Sequence, residues 1–149
     1  MGSDDNKGSK CGICIIFPIF IMAIASLAMS SHLSSSHTCA NVTAGEKMSS
    51  LESNVSLKNW LVISGSMGLL LCVSIVVVLI SMACSEDTVC KVLLGVFGTS
   101  LVLSVIFNFA WNIVGSVLFW RDCLNKVPEA VNDYMFARLI ISYVFGLNV

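Results

Sequence analysis

The chain has 149 residues, 56% of them hydrophobic and 11% charged, with a mean hydropathy of +0.90 and a formal net charge of -1. Soluble domains carry about 25% charged residues, so this composition belongs to a membrane protein. No basic excess is present to neutralise a phosphate backbone, which excludes nucleic acid as a partner, and a chain of this size has no room for a soluble catalytic domain beside several spans.

In chain order, residues 1–10 carry Asp4, Asp5, Lys7 and Lys10 and are expected to form a disordered cytosolic tail. Residues 11–30 form the first expected span, with Pro18 inside it as a source of a kink. The apolar stretch is longer than a signal-peptide core and no Ala-x-Ala site closes it, so it is expected to be a retained helix. Residues 31–58 turn to Ser, His, Thr, Asn and Glu and include two glycosylation sequons, Asn41-Val42-Thr43 and Asn54-Val55-Ser56. His32 and His37 in this loop lack a neighbouring carboxylate and are expected to be solvated surface.

The second expected span, 59–83, opens with Ser64-Gly65-Ser66-Met67-Gly68, small residues that let a neighbouring backbone approach, and continues into the β-branched run Val73 to Ile80. A short inner turn, 84–91, forces the second and third spans to run antiparallel and adjacent. Residues 92–120, the third span, contain no charged side chain and would make a helix of about 43 Å, longer than the ~30 Å hydrocarbon core of a bilayer.

Within that span Ser100, Ser104, Asn108, Asn112 and Ser116 fall at every fourth position. Four-residue steps advance about 40° around a helix, so these groups fan slowly across one side while Leu, Val, Ile and Phe cover the rest. Polar amides in lipid are costly unless paired. The stripe is therefore expected to face other helices, or else to line a pore or a subunit contact. An outer loop follows at 121–133, with Pro128-Glu129 marking a helix start, and 134–149 forms a fourth, short span interrupted by Arg138. The expected role of Arg138 is to snorkel to the outer headgroups, the alternative being a carboxylate partner such as Asp122 or Asp133.

Sequons serve only in the lumen, so Asn41 and Asn54 place the first loop outside and the amino terminus in the cytosol, in the plasma membrane or a secretory-pathway membrane. Trp60 and Trp120 then fall at the outer ends of their spans as membrane-interface residues. In this topology Cys39 and Cys123 lie outside and Cys11, Cys14, Cys84 and Cys90 inside, with Cys72 within the second span. An isolated pair in the oxidising compartment suggests a disulfide between Cys39 and Cys123. The spacing Cys11-Gly12-Ile13-Cys14 is that of a redox or zinc pair, but without a knuckle glycine or histidine the inner cysteines are expected to be palmitoylated or plain small apolar residues, and neither metal nor cofactor is expected.

The run Ala110-Trp111-Asn112-Ile113-Val114-Gly115-Ser116-Val117, followed by Cys123, Pro128-Glu129 and Leu139-Ile140-Ile141-Ser142-Tyr143, resembles the transmembrane protein 272-like family of small four-span animal membrane proteins. Cys39 matches that family's cysteine after the first span, and Ile63-Ser64-Gly65 to Gly68 its glycine-containing second span. The first outer loop departs from the family by its length and its sequons, and Tyr134 stands later than the family's tyrosine. The resemblance implies a four-span fold and carries no biochemical activity.

The expected fold class is thus all-α, a polytopic transmembrane four-helix bundle with its outer loops tied by one disulfide and glycosylated. No nucleophile elbow, HExxH, phosphate loop or opposed carboxylate pair is present, so the expected role is non-enzymatic, in membrane organisation or partner assembly. The alternative from another class is a subunit of an oligomeric channel whose pore is lined by the third-span stripe. Expected partners are the lipid bilayer and either further copies of the chain or other membrane proteins.

Overall fold

The structure, a computed structural model, describes residues 5–33, 39, 55–84 and 87–145. The sequon asparagines Asn41 and Asn54, His37 and the last four positions of the expected fourth span lie outside the described residues. The fold is all-helical, and no strand occurs among the described residues. Helix α1 spans Asp5–Ser31, α2 Leu57–Ala83, α3 Thr88–Val117 and α4 Glu129–Phe145, with a π-helical turn, Leu118–Cys123, continuing α3.

One boundary differs from the sequence expectation. Helix α1 begins at Asp5, so most of the supposed tail is helical. Nothing in Asn6-Lys7-Gly8-Ser9-Lys10 removes a backbone donor, and once the apolar segment has nucleated a helix each added residue costs little. Helix α4 begins at Glu129, the start that Pro128-Glu129 marks in the sequence and five positions ahead of the apolar stretch expected to span from 134; the Pro128 carbonyl accepts from the N–H groups of Val131 at 2.9 Å and Asn132 at 3.0 Å. Glu129 then sits in the first turn, where the helix dipole favours a carboxylate. Pro18 lies inside α1 without ending it.

Helix α2 has an N-cap at Ser56, whose hydroxyl accepts from the Asn59 N–H at 3.2 Å. It lies between α1 and α3 and packs along both. Its buried positions include Leu57, Trp60, Leu61, Ser64, Gly65, Gly68, Leu71 and Cys72, the spacing of a helix stripe. At Gly65 the α1 and α2 backbones are so close that an added Cβ would stand 2.8 Å from the Ala23 carbonyl oxygen. Small residues therefore set the separation of this pair.

The core is concentrated at one end. Leu57, Trp60, Leu61, Leu118, Phe119, Cys123, Val131, Met135 and Leu139 form one cluster together with Leu33 and Cys39, while a smaller one holds Ile19, Leu71 and Cys72. The π turn contributes three members of the large cluster. Its wider winding puts Leu118, Phe119 and Cys123 on the buried side and leaves Trp120 and Arg121 outside.

Among the described residues two helices are long and apolar enough to cross a membrane: Leu57–Ala83, with a mean hydropathy of 2.6, and Thr88–Cys123, with 2.2, whereas Ile16–Ser31 is a shorter apolar stretch. The longer of them is turned inside out relative to a soluble helix. In α3 the buried residues are Ser104, Asn108, Asn112 and Gly115, while Val96, Leu103 and Ile106 are each about 60% exposed.

Candidate functional site

The polar stripe of α3 is the first part of the site. Ser104, Asn108 and Asn112 are buried, and Ser100 and Ser116 at the two ends of the series are half-buried. That gradation follows from the 40° advance per step: the middle of the series faces the neighbouring helices and its ends drift toward the rim. The Asn108 amide donates to the Ser104 carbonyl at 2.9 Å. Ser116 donates to the Asn112 carbonyl at 2.8 Å and shares a 2.7 Å hydrogen bond with the Tyr143 hydroxyl of α4. The Asn112 amide nitrogen and the Ser74 hydroxyl are buried with no hydrogen-bond partner among the described residues.

The second part is a reciprocal clasp between α2 and α3. The Trp60 indole N–H donates to the Trp111 carbonyl at 2.8 Å, and the Trp111 indole N–H donates to the Trp60 carbonyl at 3.4 Å. Each ring thus lies across the partner helix. Trp60 can lie there because Gly115 has no side chain, since an added Cβ would fall inside the indole. Trp60, expected at the membrane interface, is fully buried within the protein, and its N–H finds a protein carbonyl. Trp120 is outward-facing and meets the rings of Phe119 and Phe136 edge-on at 5.4 Å each.

Arg138 is the third part, and it corrects the expectation that it snorkels. The side chain is 1% exposed, with its guanidinium carbon 4.9 Å from the Trp60 ring centroid. One guanidinium nitrogen donates to the Ser26 hydroxyl of α1 and the other to the Ser64 hydroxyl of α2. Tyr134, one turn earlier on α4, completes the group: its hydroxyl donates to the Met22 carbonyl at 3.0 Å and lies 2.7 Å from the Ser26 oxygen. Of the carboxylates considered as partners, Asp122 holds Arg121 at 2.8 Å. A planar fork that bridges two hydroxyls on two helices is a task to which Arg is suited and Lys is not.

Cys39 and Cys123 form a disulfide, closing a sequence separation of 84 residues and fixing part of the long loop to the π turn. Cys72, Cys84 and Cys90 are free, Cys72 being buried. Among the described residues no group of three or more His, Cys, Asp or Glu stands together, and His32 is exposed.

The stripe was legible in the sequence because its members share one helix. Ser26, Ser64 and Tyr134 were not, since nothing in the local sequence of a lone serine in an apolar helix tells it apart from any other. The only signal was indirect: a cation in the last span needs partners, and small hydroxyl residues on facing helices are the available ones. Fold and site together define an all-helical protein with a buried polar seam and two helices of membrane-crossing length and composition. No family model, curated protein or solved structure matches the chain.

Proposed function

We propose that this chain is a multi-pass integral membrane protein with a non-enzymatic role in membrane organisation or partner assembly. In this proposal all four helices lie in the bilayer, with the amino terminus cytosolic, the 31–58 loop outside and glycosylated at Asn41 and Asn54, and the protein residing in the plasma membrane or a secretory-pathway membrane. Membership of the transmembrane protein 272-like family is part of the same proposal and rests on residues 110–117.

The observation that carries it is the inverted polarity of α3, whose buried side is Ser104, Asn108, Asn112 and Gly115 and whose apolar side chains are outermost. In water that arrangement would leave a large apolar surface hydrated at about 25 cal/mol per Å². In lipid the apolar side is solvated by acyl chains, and the polar groups gain by turning toward protein. Burial of the stripe within one chain supports packing over pore lining, because a pore-lining side chain needs access to water.

Alkaline carbonate should leave the protein in the membrane pellet, and its release into the wash would overturn the proposal. Asn41→Gln with Asn54→Gln should abolish a glycosidase-sensitive mobility shift. Asn54 must be changed for this and not Ser56, whose hydroxyl also caps α2. The channel alternative is tested by reconstituting the purified protein in planar bilayers. No conductance is expected from the wild type; a conductance lost in Asn108→Leu and Asn112→Leu would favour the channel.

A further inference from the structure

Between α3 and α4 one pair of hydroxyls is left at the surface of the bundle. Ser116 has a single hydroxyl proton, and it goes to the Asn112 carbonyl at 2.8 Å. In the 2.7 Å bond between Ser116 and Tyr143, the Tyr143 hydroxyl is therefore the donor. Its oxygen keeps lone pairs but has no proton left to give, and among the described residues no donor other than its own bonding partner stands within reach of it. Tyr143 is 58% exposed, so this open acceptor faces outward. From Ser116 toward the start of α3, Ile113, Phe109 and Ile106 follow at steps of three and four residues along one side of the helix and are 47%, 53% and 61% exposed. In the other direction, about 6 Å further along the chain axis, Trp120 meets Phe136 of α4 edge-on with ring centroids 5.4 Å apart. The run 92–120 carries no charge, and Arg138, the charge nearest to Tyr143 along α4, is turned inward to Ser26 and Ser64.

We propose that this corner binds a membrane sterol, whose 3-hydroxyl donates to the Tyr143 oxygen while its flat ring system lies along Ile113, Phe109 and Ile106. The inference rests on the reading that α3 crosses the bilayer and deepens it by naming the lipid. A hydrocarbon core of ~30 Å takes up about 20 residues of a helix, and centred on the run 92–120 it extends from about residue 96 to about residue 116. The Ser116–Tyr143 pair then lies where acyl chains give way to headgroups, the depth at which a sterol keeps its hydroxyl. From there to Ile106 the helix offers about 15 Å of apolar side pointing into the core. The hydrogen-bond inventory selects the lipid. A phosphatidylcholine presents only acceptors and cannot satisfy Tyr143, whereas a sterol hydroxyl donates, and in apolar surroundings an unmade hydrogen bond is costly. A sphingolipid also has donors, but it carries a headgroup directly above them, where the rings of Trp120 and Phe136 stand. A sterol has nothing above its hydroxyl, and the charge-free surface suits a neutral ligand.

The test uses the full chain reconstituted in phosphatidylcholine vesicles with cholesterol that carries a diazirine in its side chain, cross-linked by light and located by peptide mapping. Labelling is expected on the α3 peptide that contains Ile106 and Phe109. Unlabelled cholesterol should compete, and its 3-methyl ether, which keeps the oxygen but has no proton to donate, should not. Tyr143→Phe removes one oxygen at an exposed position and should weaken labelling about 3- to 10-fold at sub-saturating probe. Equal labelling of the wild type and Tyr143→Phe, equal competition by the methyl ether, or stronger competition by sphingomyelin than by cholesterol would overturn the sterol site. The methyl ether is compared on the wild-type chain, so a folding defect in Tyr143→Phe does not decide the outcome. Carbonate extraction of the same vesicles separates the two readings. Retention in the pellet without sterol-selective labelling overturns the site alone, whereas release overturns the membrane reading on which the site rests.

Discussion

Arg138 is a cation in an apolar helix whose side chain turns inward. A helical side chain leans toward the helix amino terminus, and on α4 that direction leads to the cluster around Trp60, where two hydroxyls and a ring face are in place. Lys at this position supplies a point charge without the fork, so Arg138→Lys should cost about 1–3 kcal/mol, read as a fall of several degrees in the detergent melting temperature. A double-mutant cycle between Arg138→Met and Ser64→Ala should return a coupling of about 0.6–2 kcal/mol. A coupling of zero would mean that the Arg138–Ser64 contact contributes nothing to holding α4 against α2. The two buried asparagines should separate in the same assay. Asn108→Leu removes the bond to the Ser104 carbonyl and should destabilise by about 1 kcal/mol. Asn112→Leu replaces an amide nitrogen that has no partner among the described residues and should be neutral to folding, with its effect appearing in recovery of partners.

Helix pairing here is set by where side chains are missing. Gly65 and Gly115 each leave open space that a neighbour occupies, the first filled by the Ala23 carbonyl and Leu27, the second by the Trp60 indole. Gly95 and Gly98 meet nothing within 4 Å. Gly65→Ala and Gly115→Ala should therefore each destabilise by about 1–3 kcal/mol through overpacking, whereas Gly95→Ala and Gly98→Ala should be neutral or stabilise by up to about 1 kcal/mol through helix propensity. Thermal unfolding of the four variants in one detergent checks this, and equal effects in both pairs would refute it. The sequence shows four similar glycines in apolar helices, and only Gly65, inside Ser64-Gly65-Ser66-Met67-Gly68, stood out as a contact point. Helix α3 was more legible, because a polar step of four residues has one geometric outcome on a helix. The π turn after it was not, since the extra residue answers to the packing of Leu118, Phe119 and Cys123 and leaves no mark in the local sequence.

Across the assembled chain, the disulfide and the large cluster lie together, so the bond secures the better-packed end. Cys39→Ser should lower stability by about 2–4 kcal/mol, a loss reproduced by reductant in the wild type and absent on adding reductant to the variant. The helical class, the apolar character, the antiparallel handover at 84–91 and the four-residue stripe were all written in the chain order, because each depends on composition or on periodicity within a single segment. The inward turns of Trp60 and Arg138 were not. Their partners lie 51 residues away for the indole, and 74 and 112 residues away for the two guanidinium bonds. A hydropathy argument weighs each side chain against lipid and water, but a polar group in a folded bundle has a third solvent, the hydroxyls and carbonyls of other helices, whose positions exist only after those helices have packed.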